Sequence, residues 1–345
     1  MQLPRDIWIG PGARQQLIAV CRGHGLHASA FILTGPRVYD VVTHAILRSL
    51  EDAGYAVTCT CVDTASLQAV QAAKTSIEAA NPNLVLGVGG GKAIDVAKLS
   101  STLAHKPFIS VPTAASHDGI SSPRATIQDA GEATSIQAQA PLAILADTDV
   151  IAQAPYRLTA SGCGDVIAKY TAVHDWEAAY KHTHEYYGAY AANLARMSAT
   201  LVLDNAHTIA QRGEDGLRIV LEALISCGVA MSIAGSSRPC SGSEHLFSHA
   251  LDRVAATPAL HGEQCGVGAI MMAYLQKQDW WRLREKLQIL GAPTTAAELG
   301  VDATTIVDAL TLAHTIRPDR PTILGRDGLT RDAARVLAEA THVIP

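Results

Sequence analysis

Two separated groups of residues carry the chemistry this chain can do. The first is Gly87-Val88-Gly89-Gly90-Gly91-Lys92-Ala93-Ile94-Asp95, followed by Ser110-Val111-Pro112-Thr113-Ala114-Ala115-Ser116-His117-Asp118-Gly119. Consecutive glycines let a backbone approach a pyrophosphate and turn its N–H groups toward it. A helix opening near Lys92 adds its positive N-terminal end. Lys92 adds charge, and Asp95 is placed either to cap that helix or to meet a ribose. The spacing is not G-x-G-x-x-G, and the run follows a third or fourth strand. Taken alone, it also fits a tight strand-to-helix turn.

The second group is Gly164-Asp165, Ser243-Glu244-His245-Leu246-Phe247-Ser248-His249 and His261-Gly262-Glu263. On a helix, His245 and His249 share a face. Asp165 opens a helix behind a glycine-rich turn, and His261 stands where another begins. Two imidazoles and a carboxylate with an open position suit a catalytic Zn²⁺, which polarises a substrate oxygen. The chain has 14 histidines, so a single i, i+4 pair is weak evidence by itself. Cys240 and Cys265 flank the cluster and rank below the histidines, since small apolar packing is the usual fate of cysteine. Cys59 and Cys61 read as strand packing, and His182 and His184 as solvated surface. A dinucleotide cradle beside a metal cluster points to metal-assisted hydride transfer on a small hydroxylated substrate.

These groups need elements to hold them. Ala28 to Leu33, Ala56 to Val62, Leu84 to Val88, Phe108 to Val111 and Leu142 to Leu145 read as buried strands. Val38 to Ala53, Leu67 to Ala80 and Ala93 to Leu103 read as the helices between them. This alternation predicts a doubly wound parallel α/β sheet of Rossmann-like type, with ligands at the carboxyl ends of the strands. Arg124 to Ile136 reads as a hairpin around Asp129-Ala130-Gly131. Beyond Ile151 the periodicity is helical, as in Tyr186 to Ala210 and Gly216 to Ala234, so the second half reads as all-α. The expected division is a dinucleotide-binding domain at 1–155 and a helical metal-binding domain at 156–345.

Bulk composition narrows the classes. The 345 residues are 48% hydrophobic and 17% charged, which supports large buried cores. At roughly 150 residues per domain, that length predicts two domains. The net charge of −5 carries no basic bias and argues against nucleic acid as a partner. No apolar run approaches the roughly 20 residues of a membrane span. The opening residues lack a signal-peptide core, and the seven cysteines include no C-x-x-C pair. Both point to a reduced, cytoplasmic protein. The first strand ends at Thr34-Gly35-Pro36 without an acidic residue to repel a 2′-phosphate, so NADP is expected to be tolerated beside NAD.

With these motifs in order, the chain resembles the sn-glycerol-1-phosphate dehydrogenases, within the superfamily of glycerol dehydrogenase, iron-containing alcohol dehydrogenase and 3-dehydroquinate synthase. Pro112 to Pro123 is the most specific stretch. Gly162-Cys163-Gly164-Asp165, Ser241 to His249 and His261-Gly262-Glu263 support it. The resemblance implies that Gly89, Gly90, Gly91, Lys92 and Ala93, with Asp95, hold the cofactor pyrophosphate. It implies that Thr113, Ala114, Ala115, Ser116 and Ser122 hold the cofactor nearer its nicotinamide. Asp165, His245 and His261 are implied as Zn²⁺ ligands. Asp118, Asp165 and His249 are implied as the catalytic, substrate-contacting residues. Iron-dependent relatives carry a further His four residues after the Asp; Lys169 stands there in this chain, which argues against iron.

The implied reaction is reversible reduction of dihydroxyacetone phosphate to sn-glycerol 1-phosphate with NADH or NADPH, supplying the backbone of archaeal-type ether phospholipids. A homo-oligomer is expected. Arg238 or Lys169 is expected to clamp the substrate phosphate. The alternatives are a glycerol dehydrogenase acting on unphosphorylated substrate and a dehydroquinate-synthase-like lyase, whose extra Lys and Arg near the metal segment this chain lacks.

Overall fold

Strands buried on both faces read as continuous apolar runs, and Ser29–Thr34, Leu84–Gly89 and Phe108–Pro112 are of that kind. The computed structural model describes residues 1–129 and 132–345. The chain divides by contacts into Met1–Pro155 and Tyr156–Pro345.

The first unit holds strands β1 (Asp6–Gly10), β2 (Ser29–Thr34), β3 (Ala56–Cys61), β4 (Leu84–Gly89), β5 (Phe108–Pro112), β6 (Arg124–Asp129), β7 (Glu132–Gln137) and β8 (Ala143–Asp147). Six of them form one parallel sheet in the order β1-β8-β5-β4-β2-β3. Helix α1 (His44–Asp52) sends Ile46 and Leu50 into one apolar cluster with Ile32, Leu86 and Val111. Helices α2 (Leu67–Ala80) and α3 (Gly91–Leu103) send Val70, Ile77, Ile94 and Leu99 into another, with Phe31, Val85 and Phe108. The sheet is therefore covered on both faces, as the alternation predicted. In register, Gly89 of β4 stands beside Pro112 of β5. The carboxyl ends of these neighbours bring the glycine run next to Thr113–Ser116.

β6 and β7 form the expected antiparallel hairpin. Of its turn, Ala130 and Gly131 lie outside the described residues. β1 is an addition to the sequence reading. It is an edge strand paired only with β8, and Ile7 and Trp8 are each 43% exposed.

Within Tyr156–Pro345 the described residues form helices and no strand. The site uses α4 (Tyr156–Ile167), α5 (Lys169–Thr183), α8 (Ser243–Val254), α9 (His261–Leu275) and α10 (Ala303–Ile316), with α6 (Ala189–Asp204) and α7 (Glu214–Ala234) behind them. The helical periodicity read over Tyr186 to Ala210 is corrected to two helices, α6 at Ala189–Asp204 and a short one at Ala206–Ala210. Asn205 turns its amide back onto the Leu201 carbonyl at 2.8 Å, and this side-chain bond competes with helix propagation. A second correction concerns apolar length. α7, at 21 residues, is long and apolar enough to cross a bilayer by composition, but most of it is buried and it packs against α6 and α4. An apolar core helix passes that test as readily as a membrane span.

Candidate active site

In the first unit, β4 runs through Gly89 and Gly90 into α3, which opens at Gly91. Thr113 N–H donates to the Gly89 carbonyl at 3.0 Å, so the two predicted cofactor segments are tied together. A Cβ on Gly91 would lie 2.0 Å from His117 Nε2, whose ring stacks on the first turn of α3. His117 Nδ1 accepts from Gly119 N–H at 3.0 Å, which leaves the ring proton on Nε2 in the neutral form. Lys92 is exposed, Ala93 is buried, and Thr113 and Ser116 are half-buried, while Ala114 and Ala115 are buried.

Asp95 is placed differently from a ribose ligand. Its oxygens meet Lys98 Nζ and Thr126 N–H, both at 3.0 Å. Lys98 Nζ also donates to the carbonyls of Gly119 and Arg124 at 2.6 Å each. This buried pair pins the turn Asp118–Ile120 and the hairpin to α3. Ser122 is buried and donates to the Arg124 carbonyl at 3.3 Å. Asp118 opens that turn, half-buried.

In the second unit, glycine makes the decisive contact. A Cβ on Gly262 would lie 1.8 Å from the Ser161 carbonyl oxygen, and one on Gly164 would lie 2.2 Å from the Gly262 carbonyl oxygen. The backbones of α4 and α9 touch, and the next residue on α4, Asp165, meets the first residue of α9, His261. α8 packs beside α9 and supplies His245 and His249. The His245 and His261 rings are 5.1 Å apart, and those of His249 and His261 are 5.8 Å apart. Ligand atoms of Asp165, His245, His261 and Cys265 all lie within 4.8 Å of one another. Cys265, one turn after His261, was ranked below the histidines from sequence; its Sγ lies 3.6 Å from His261 Nε2.

Neighbouring groups hold the imidazoles in the tautomer a metal needs. Glu244 Oε1 accepts from His245 Nδ1 at 2.8 Å, leaving Nε2 to point toward Asp165, 3.5 Å away. Glu244 is itself held by Gly242 N–H and the Thr171 hydroxyl. Ser248 donates to Gln264 Oε1 at 2.7 Å, so it accepts from His261 Nδ1 at 3.2 Å, which makes Nε2 the nitrogen offered to a metal. Such partners fix ligand orientation and raise ligand basicity. No sequence signal gives Ser248 or Gln264 these roles, because both depend on packing between α8 and α9, and Glu244 is steadied on its neighbour His245 by Thr171 from another helix.

Charge completes the pocket. Lys169 Nζ lies 2.6 Å from Asp165 Oδ1, and both side chains are buried. Burial opposes a charge on Asp165, yet Lys169, a hydrogen bond from His245 and the neighbouring imidazoles hold its carboxyl well below the usual range. Burial likewise opposes a charge on His245, but Cys265 and the carboxylates of Asp165 and Glu244 hold it well above the imidazole range. The pocket favours positive charge. Together with a nitrogen, oxygen and sulfur donor set, that fits a divalent ion such as Zn²⁺. Burial pushes His249 below its usual range against the pull of Asp252, with His245 and Arg317 adding to the lowering. Its Nδ1 is buried without a hydrogen-bond partner among the described residues, the nearest Asp252 oxygen being 3.8 Å away.

Arg238 corrects the expected phosphate clamp. It is buried, donates through Nε to Glu185 Oε1 at 2.6 Å and through Nη2 to Glu185 Oε2, and reaches the Pro321 carbonyl at 2.9 Å. Its guanidinium is a structural fork. Arg238→Ala is expected to lower stability by about 1–3 kcal/mol, since Glu185 and a carbonyl lose their donors. An unchanged thermal melting curve would contradict that role.

The chain is similar to several known proteins. A family profile described as iron-containing alcohol dehydrogenase matches residues 8–155. The glycerol-1-phosphate dehydrogenase (NAD(P)+) of Methanosarcina mazei is 53% identical over 344 residues, spanning 100% of this chain and 96% of that protein. The enzyme of the same description from Methanosarcina acetivorans is 52% identical over the same extent. Among solved structures, glycerol dehydrogenase from Schizosaccharomyces pombe matches with a TM-score of 0.82 at 21% identity, covering 99% of this chain and 89% of that one. That last likeness bears on the fold alone.

Proposed function

The chain belongs to the glycerol-1-phosphate dehydrogenase family, and on that premise we propose that it reversibly reduces dihydroxyacetone phosphate to sn-glycerol 1-phosphate with NADH or NADPH. It is an NAD(P)-dependent alcohol dehydrogenase, and the observation that carries the reading is identity of about half the residues along the whole chain. Use of either cofactor is supported by the end of β2, where Thr34-Gly35-Pro36-Arg37 offers an exposed arginine and no carboxylate. The product's place in ether-lipid synthesis follows from the same membership. A cytoplasmic homo-oligomer is part of the proposal. Exposed Tyr180, Tyr186, Tyr190 and Met197 on the helical unit support assembly with further copies.

In this reading Asp165, His245 and His261 hold the metal, with Cys265 at the edge of the donor set. When bound, Zn²⁺ supplies Lewis acidity toward the substrate C2 oxygen, and the nicotinamide supplies the hydride. Glu244 accepts from His245 Nδ1 and Ser248 from His261 Nδ1, which makes Nε2 of each ring the nitrogen offered to the metal. Lys169 keeps one oxygen of Asp165 in place and takes the position where iron-dependent relatives carry a histidine, which supports zinc over iron. His249 is neutral, has an unpartnered ring nitrogen, and is placed to hydrogen-bond substrate and pass a proton. The glycine cradle takes the pyrophosphate, and Asp118 contacts substrate.

The test is oxidation of NADH and of NADPH with dihydroxyacetone phosphate, followed by chiral analysis of the product. Turnover with both cofactors giving the sn-1 enantiomer is expected. Dialysis against a chelator is expected to abolish turnover, and Zn²⁺ to restore it. Activity on glycerol or dihydroxyacetone but none on the phosphate ester would refute the substrate assignment. Full activity in metal-free enzyme would refute the metal's role.

A further inference from the structure

A substrate carrying a phosphate needs a cation beside the metal centre. Most cations of the helical unit near that centre are already committed. Lys169 is buried on Asp165. Arg157 forks onto Glu263 at 2.6 and 2.7 Å. Arg238 forks onto Glu185. Arg320 donates to the Ser241 carbonyl at 2.7 Å and to Ser237 Oγ at 3.0 Å.

Arg317 is arranged differently. It is half-buried; its carbonyl accepts from Arg320 N–H at 3.0 Å, while its guanidinium makes no hydrogen bond or ion pair with the described residues. Burial disfavours its charge, and Asp319 offsets this only in part. It ends α10, the helix packed along α8, which carries His245 and His249. The chain after it is stapled back onto the approach to α8. Arg320 holds Ser237 and Ser241, Arg238 holds the Pro321 carbonyl, and Ile323 N–H donates to Asp175 Oδ1 at 2.8 Å. Asp175 in turn accepts from Ser243 N–H at 2.7 Å, at the first residue of α8. The backbone that carries Arg317 is thus held beside the metal-bearing helix from both directions along the chain. Its charge is felt at His249, whose Nδ1 is also unpartnered.

We propose that Arg317 binds the phosphate of the substrate, its planar fork meeting two phosphate oxygens, and so sets the preference for a phosphorylated over an unphosphorylated ketone. This rests on the function proposed above. A fork suits phosphate because two parallel N–H donors match two oxygens, whereas an ammonium offers a point charge.

The experiment compares the wild-type enzyme with Arg317→Ala and Arg317→Lys, all loaded with Zn²⁺. Dihydroxyacetone phosphate and dihydroxyacetone are the substrates, and inorganic phosphate is the inhibitor. In Arg317→Ala the KM for the phosphate ester is expected to rise about 100-fold, with a much smaller change in kcat. The ratio of kcat/KM for the ester over the free ketone falls accordingly, and inhibition by inorganic phosphate weakens in parallel. Arg317→Lys is expected to restore part of both. A ratio and a phosphate inhibition equal to wild type in Arg317→Ala would overturn the assignment, as would an equal loss on both ketones. Wild-type enzyme inert toward the ester would instead overturn the proposed function, and Arg317's role with it.

Discussion

Asp165→Ala is expected to yield a protein that retains no metal and has lost at least about a thousandfold in kcat/KM, the scale of removing a main electrostatic stabiliser. The carboxylate does two things at once. It is one of the proposed metal donors, within 4.8 Å of the others, and it is the counter-ion of Lys169, whose side chain is 0% exposed. Alanine therefore also strands a buried ammonium, a loss of about 3–5 kcal/mol when one partner of a buried pair is removed. Metal content, thermal melting and kinetics on one preparation separate the two effects. Adding Lys169→Ala is expected to recover much of the stability and none of the metal. A single variant that keeps its ion would remove Asp165 from the donor set.

A comparable loss is expected from Gly262→Ala, which alters no donor atom. The added methyl would lie 1.8 Å from the Ser161 carbonyl oxygen and 2.6 Å from its carbon, backbone that no rotamer change can move aside. α4 and α9 must separate, and the separation carries His261 away from Asp165. We expect destabilisation of about 3 kcal/mol or more, at the upper end for overpacking, together with loss of metal. Gly266→Ala is the comparison. Its methyl would meet the end of the Leu287 side chain at 3.2 Å and Gly164 Cα at 3.4 Å, contacts that small shifts relieve. Equal metal content in both variants would show that the helix contact does not set the distance between donors.

Much of this arrangement is legible in the sequence, for reasons tied to particular residues. The helix expected at Leu67 to Ala80 has those ends because Ser66 accepts from Ala69 N–H at its start and Asn81 turns left-handed at its finish. β2, β4 and β5 are legible because both their faces are covered, which enforces unbroken apolar runs. β1 was not, since only its pairing with β8 makes those five residues a strand. In the site, side-chain type and i, i+4 spacing single out Asp165, His245, His249 and His261. The residues that hold them do not stand out. Glu244 looks like any helix-start acid until its oxygen meets His245 Nδ1, and Arg238 looks like an available cation until Glu185 closes on it. The second role is created by a contact between residues 53 apart in the chain, and the first is steadied by Thr171 from another helix.

The pairing of β1 with β8 also carries a consequence for biosynthesis. Asp6 finds its partner in Ala143, so the earliest strand of this sheet must wait for the last to be made. At about 5–20 residues per second, that wait is on the order of ten seconds. Throughout it Ile7 and Trp8 sit on an unpaired segment of the nascent chain. The first unit cannot close its sheet while its own synthesis is incomplete, and the helical unit is already being made when it does.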